Sequence, residues 1–271
     1  MQKRRMIAGA MPCLLAIALG ACAPGNADMD DAGAPQPGAA GDTDADGTRG
    51  AAADAGAAAA SGRANVLTPQ EIADGWQLLF DGTTTERWRG YNQEDMPEGW
   101  QAVDGSLVRV AQAGDIITSD QFANFELALD WMVNEAGNSG IFYRAIESED
   151  PIYYSAPEMQ VLDDAGHADG GSQLTAAGSN YALHPVAEGV VRPAGEWNSA
   201  RLVVNGDHVE HWLNGRKVVE YELGSEDWKQ RVANSKFAEW PAYGTADRGH
   251  IGLQDHGDWV AFRNIRIRVL P

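Results

Sequence analysis

Cysteine is nearly absent: the 271-residue chain has two, Cys13 and Cys22, both close to the N-terminus. Everything after them is without a disulfide framework, a thiolate nucleophile or a cysteine-based zinc site. Positive charge is scarce too. Twenty Lys and Arg stand against 39 Asp and Glu, a formal net charge of −19. A phosphate backbone needs a basic surface, so nucleic acid is excluded as a partner, whereas a neutral carbohydrate is not. No Gly-rich loop joins a strand to a helix and no Gly-x-Ser-x-Gly segment occurs, which removes a nucleotide cofactor and the hydrolase nucleophile elbow. No repeat of fixed period is visible, so a propeller is not expected. The apolar run Met6–Ala18 is too short for a membrane span.

That run follows Lys3, Arg4 and Arg5, and the pair reads as the basic and apolar regions of an export signal. It ends in Leu19-Gly20-Ala21-Cys22, which resembles the lipobox of bacterial lipoproteins. The resemblance implies acylation of Cys22, a lipid anchor in the cell envelope, and a mature chain that begins there. Ala23 in place of Asp points, by that family's sorting rule, to the outer membrane or periplasm and away from the inner membrane. An ordinary signal peptide containing a cysteine is the alternative. Residues 1–22 are thus assigned to the signal. Residues 23–65 are Ala, Gly, Asp and Pro with almost nothing large, and cannot bury enough apolar surface to offset their ordering entropy, so they are expected to form a tether. Residues 66–271 are long enough for one sizeable domain.

In this domain short alternating runs dominate. Thr68-Pro69-Gln70-Glu71 predicts a helix start with a capping box. Trp76–Phe80, Ile116–Thr118, Phe125–Val133, Ser139–Ile146, Gly249–Gln254 and Trp259–Val269 predict strands. Asp104-Gly105, Asn205-Gly206 and Asn214-Gly215 predict hairpin turns. One internal helix is expected over Ser225–Lys236, with Ser225 as N-cap. A dozen short strands with hardly any helix predict an all-β fold, an antiparallel β-sandwich or jelly roll.

The stretch Pro157–Asp164 stands out. Side chains alternate along a strand, so Glu158 and Gln160 share one face while Met159 and Val161 take the other. Such a face either meets solvent or lines a pocket. A long loop, Ala165–Ala177, follows it, and loops of this length are usually functional or mobile.

Several motifs resemble, in order, the 3-keto-disaccharide hydrolase family: Gly75-Trp76-Gln77-Leu78-Leu79-Phe80-Asp81-Gly82, Asn138-Ser139-Gly140-Ile141-Phe142-Tyr143-Arg144, Pro157-Glu158-Met159-Gln160-Val161-Leu162-Asp163, Gly195-Glu196-Trp197-Asn198, His211-Trp212-Leu213-Asn214-Gly215 and Gly252-Leu253-Gln254-Asp255-His256-Gly257. The resemblance covers nearly all of residues 74–270. It implies a jelly roll of the concanavalin-like lectin/glucanase type, a sugar site on its concave face, and action on glycosides already oxidised to a ketone at C3. The acidic stretch Glu147–Pro151 departs from the family pattern, in which a tighter turn is expected.

A ketone at C3 acidifies the C2 proton, so a base can remove it and the C1 substituent can leave by β-elimination, with water then adding at C1. This route needs a base, an acid for the glycosidic oxygen and an electrophile at the ketone oxygen. The residue types that supply these roles are Glu158, His211, His256 and Arg144 as catalytic groups, with Gln160, Gln254 and Tyr181 as substrate contacts. Each also has a plain reading: an exposed strand Glu, a core His, or an Arg paired with Glu158. Asp163, Asp164 and His167, with Asp169 nearby, are a candidate divalent-metal set for Ca, Mg, Mn or Zn, or simply a solvated acidic loop. A non-catalytic carbohydrate-binding module and a tethered scaffold or adhesion domain remain as rival functions.

Overall fold

The computed structural model describes residues 63–148, 150–186 and 189–271. The export signal, Cys22 and the tether as far as residue 62 lie outside the described residues. The described chain starts earlier than expected. Asn65, assigned to the tether, is buried. Its backbone N–H donates to Asn264 Oδ1 at 2.6 Å, its side-chain amide donates to the Gly105 carbonyl at 2.7 Å, and its Oδ1 accepts the Asn264 N–H at 2.8 Å.

The capping box forms at Thr68 and Glu71 and starts a short helix, α1, over Pro69–Ala73. Strands β1 to β6 then cover Trp76–Leu78, Trp88–Gly90, Trp100–Val103, Ser106–Arg109, Ile116–Thr118 and Phe125–Val133. Strands β7 and β8 are Asn138–Ala145 and Glu158–Leu162; β9 to β11 are Asn198–Asn205, His208–Leu213 and Arg216–Glu222. Helix α2 spans Glu226–Ala233, and β12 (His250–Leu253) and β13 (Val260–Val269) close the domain. Two hairpins turn as expected, with both residues at positive φ: Asp104 at 48° and Gly105 at 76°, Asn214 at 48° and Gly215 at 81°. The third turn lies one residue later than expected. Asn205 pairs with His208, so the turn residues are Gly206 and Asp207.

The strands form two antiparallel sheets. The larger has the order β11-β10-β9-β6-β13-β4-β3, with β1 added on β13, and the smaller is β2-β5-β12-β7-β8. They are stacked as the sandwich that the alternation requires. Phe125, Leu127, Leu129 and Trp131 on β6 and Phe262, Ile265 and Ile267 on β13 meet Ile141, Met159, Val161 and Leu253 from the smaller sheet. On β13 the apolar period slips from Phe262 to Ile265 because the register shifts between Arg263 and Arg266, and Asn264 absorbs the slip at φ 54°.

Both faces of β8 are buried. One packs into the core; the other lies on the outer face of the smaller sheet, which chain segments partly cover. A 3-10 turn, Ile152–Tyr154, sets Ile152 into a second apolar cluster with Ile117, Phe142, Ala145 and Ala156. Gly252 makes room for it, since a Cβ there would sit 2.7 Å from Ile152 Cδ1. Helix α2 stops at Asn234, short of the expected end, and Ser235 caps a further 3-10 turn, Lys236–Glu239. This turn carries Lys236 and Phe237 over the same face. The acidic stretch after β7 also docks locally: Arg89 holds Glu147 through two bonds of 2.5 and 2.7 Å, and the Asn92 N–H donates to the same carboxylate at 3.0 Å.

Candidate active site

Glu158 and Gln160 point outward from the smaller sheet, opposite Phe142 and Gly140 of β7. The free edge of β8 is extended by the segment Gly178–Tyr181: Gln160 N–H donates to the Ser179 carbonyl at 3.1 Å, and Tyr181 N–H to the Glu158 carbonyl at 3.0 Å. Tyr181 is thereby fixed beside Glu158. On the other side Gln254 N–H donates to the Gly140 carbonyl at 3.0 Å, which places Gln254 on the same face. These side chains, together with Asn138, Tyr153, Lys236, Phe237, Tyr243 and His256, surround a cleft of about 250 Å³.

Gly140 is what lets the carboxylate lie where it does. A Cβ at residue 140 would collide with Glu158 Oε1 and stand 2.7 Å from Cδ and 2.9 Å from Cγ. The carboxylate lies flat over the backbone of β7, in the hollow that the missing side chain leaves. It is buried, and among the described residues no donor binds it. Burial therefore dominates and pushes its pKa up to about 8, with Asp115 and Asp169 raising it further and Lys236 pulling it down. Tyr181 donates to Asp169 Oδ2 at 3.3 Å, and its hydroxyl is pushed up to about 12, chiefly by burial. The Lys236 ammonium lies 4.4 Å from the centre of the Tyr181 ring. Tyr243 is buried and its hydroxyl pKa is raised, again by burial first.

Buried amides are normally hydrogen-bonded. Here both polar atoms of the Gln160 side chain, Gln254 Oε1, Asn138 Oδ1 and the Tyr243 hydroxyl are buried without a protein partner. They line a cleft that could hold a ligand rich in hydroxyl groups. His256 is at the rim: its side chain is 48 % exposed, its Nδ1 is 3.9 Å from Asp258, and its ring centre is 6.3 Å from that of His167. The loop carrying Gln254 and His256 is pinned by Asp255. That carboxylate accepts from Arg109 Nε at 2.7 Å, from the N–H groups of Ala113 and Gly114 at 2.7 and 2.9 Å, and from Gly257 N–H at 2.9 Å.

Of the residues singled out from the sequence, Glu158, Gln160, Gln254, Tyr181 and His256 share the cleft. Arg144 and His211 do not. Arg144 adopts φ 52°, where the β7–β12 register also shifts, and its guanidinium turns to the carbonyls of Ala123 and Gly206 at 3.1 and 2.7 Å. His211 lies between the sheets, fully buried against Tyr143 and Tyr221; Nδ1–H donates to the Gly178 carbonyl at 3.0 Å, and burial lowers its pKa to about 4. The proposed metal ligands do not gather either. Asp163 Oδ2 accepts the Ala136 N–H at 2.8 Å, Asp164 Oδ1 accepts the Ala177 N–H at 2.8 Å, and His167 Nδ1 accepts the Asp169 N–H at 3.1 Å. Asp163 thus caps the turn between β6 and β7, while Asp164 and His167 cap turns of their own loop. Among the described residues, the side chains that do converge are His208, Glu210 and Glu220, on a different sheet and already bridged by Lys217. Sequence reasoning missed Lys236, Tyr243, Tyr153 and Asn138. Only Asn138 carried a signal, since it is in strand register with Gly140; the others arrive from turns with no period to read.

Comparison with known proteins gives the family of the chain. Residues 75–268 match the family model of the 3-keto-alpha-glucoside-1,2-lyase-like domain. A 3-keto-disaccharide hydrolase of Bacteroides thetaiotaomicron is 39% identical over 230 residues, 73% of this chain and 79% of that protein. A crystal structure of a Parabacteroides distasonis protein assigned as a glycosyl hydrolase is 36% identical, covers 77% of this chain and all of its own (100%), and superposes with a TM-score of 0.72. A second protein with the same assignment from that organism is 31% identical, covering 72% of this chain and 99% of its own, with a TM-score of 0.58. The chain belongs to the family of the 3-keto-alpha-glucoside-1,2-lyase-like domain, the family of the 3-keto-disaccharide hydrolase.

Proposed function

We propose that this domain cleaves glycosides that carry a ketone at C3, by removing the C2 proton and eliminating the C1 substituent. The observation that carries this reading is the Glu158 carboxylate, undonated and desolvated at the floor of a cleft lined with unpartnered amides. A base whose pKa approaches the working pH is suited to taking a proton made acidic by a neighbouring ketone. The electron pair of the C2–H bond moves into an enolate at C3, and the Glu158 carboxylate keeps the proton. The pair then forms the C1–C2 double bond as the C1–O bond breaks. Lys236 and Tyr243 are the donors available to the enolate oxygen, and His256 at the rim is placed to protonate the departing oxygen. Gln160, Gln254 and Asn138 hold the sugar hydroxyls. Addition of water at C1 completes a net hydrolysis.

The carbohydrate-binding alternative keeps the amides and aromatics but assigns no task to a buried carboxylate without a donor. The desolvation of Glu158 favours catalysis over that reading. We further place the protein in the bacterial cell envelope, held by a lipid on Cys22, on the strength of the sequence Leu19-Gly20-Ala21-Cys22. Among the described residues, the His, Asp and Glu side chains that converge closely enough to hold an ion are His208, Glu210 and Glu220, outside the cleft, and the steps above are assigned to side chains of the cleft alone. Incubation with a chromogenic 3-keto-glucoside tests the reaction. Wild type should release a nitrophenolate, which needs no proton from His256 to depart, with kcat/KM rising tenfold per pH unit and levelling above about 8. Glu158→Gln should lose at least about 1000-fold. Full activity in the variant would remove Glu158 as the base, and so would a wild-type kcat/KM that does not rise with pH below about 8.

A further inference from the structure

Tyr153 is left without a task by the reaction above. It lines the cleft, yet it is 36% exposed, whereas Phe237 and Tyr243 in the same wall are almost fully buried. It therefore marks the mouth. Its position is fixed from below and behind. Ile152 anchors the turn in the cluster under Gly252, Tyr154 N–H donates to the Pro151 carbonyl at 2.9 Å, and Gly244 N–H donates to the Ser155 carbonyl at 2.8 Å. Beside it, Trp240 and Tyr154 stack at 4.0 Å and 13°, and Tyr153 meets Trp240 tilted, at 5.6 Å and 59°, and Tyr154 edge-on, at 5.3 Å. The ring is thus held by a rigid aromatic wall and does not pay the ordering cost of a mobile side chain on meeting a ligand.

The cleft is polar at its floor and aromatic at its mouth. With the keto sugar seated over Glu158 so that C2 faces the carboxylate, the substituent on C1 has to point to the open end to leave. We propose that Tyr153 forms the leaving-group subsite and selects substituents that present a flat ring face, a second pyranose or an aryl ring, over small alkyl groups. This inference rests on the reaction proposed above. A ring face on a tyrosine contributes roughly a 3- to 10-fold preference.

Kinetics with phenyl and methyl 3-keto-glucosides test it. The ratio of kcat/KM, phenyl over methyl, should fall roughly 3- to 10-fold in Tyr153→Ala, mainly through KM, and be restored in Tyr153→Phe, which keeps the ring. A 3-keto-disaccharide should follow the phenyl substrate. A ratio unchanged in Tyr153→Ala overturns this inference alone, and so does a failure of Tyr153→Phe to restore it. Release of neither leaving group by the wild-type protein overturns the underlying reaction, and this inference with it.

Discussion

Replacing Gly140 by alanine should switch off the reaction while leaving the fold intact. Gly140 is in β7 at a φ outside the left-handed region, so the backbone accepts alanine without strain, and lower entropy of the unfolded chain is worth up to about 1 kcal/mol in its favour. The new methyl, however, would stand 2.7 Å from Glu158 Cδ. Ordinary carbon–carbon contact is about 3.5–4.0 Å, so the carboxyl group must retreat by roughly 1 Å. The atoms in the way are the far end of a flexible side chain and not backbone, so the sheet can keep its register. Misplacing a catalytic group by that distance costs on the order of 100-fold in rate, or about 2.7 kcal/mol of barrier. Steady-state kinetics on a chromogenic 3-keto-glucoside, beside a thermal melt, should show kcat down about 100-fold and a stability change within about 1 kcal/mol. Shortening the carboxylate relieves the collision, so Gly140→Ala should cost little more in a Glu158→Asp background. Wild-type kcat/KM in Gly140→Ala would refute the reasoning, because the carboxylate in that hollow would then not be the one that meets substrate. Additive losses in the double variant would refute the steric account.

The buried carboxylate also predicts a dependence of stability on pH. A group raised from 4.5 to about 8 binds a proton more tightly in the folded state, so the stability it contributes is complete below about 4.5 and is lost as pH rises to about 8. Urea denaturation should show Glu158→Gln more stable than wild type at pH 8, by up to a few kcal/mol, with the gap closing towards pH 5; a gap independent of pH would refute the shift. At the other end of the chain, Cys22→Ser should release the protein from the membrane fraction and abolish labelling by a radioactive fatty acid. Unlabelled wild-type protein would leave Leu19–Cys22 as an ordinary signal.

The fold was written in short-range terms. Alternation placed Leu127, Leu129 and Trp131 inward, Thr68 and Glu71 formed their capping box, and Asp104-Gly105 and Asn214-Gly215 turned where such pairs must. Period two also put Glu158 and Gln160 on one face. What that face meets is a long-range matter: solvent and a covered cleft give the same local pattern. The cover comes from Ile152 and from Lys236 to Tyr243, which no period in the sequence links to β8. Long-range partners also redirected the charged and polar candidates. Arg144 left the alternation at a positive φ and found carbonyls, and the loop acids Asp163 and Asp164 found backbone N–H groups, because backbone polar groups outside the sheet ladders take polar side chains that the fold brings near them as partners. Gly140 is the counterpart. In sequence it is one glycine inside a strand; only the approach of β8 reveals that its empty side is where the carboxylate rests.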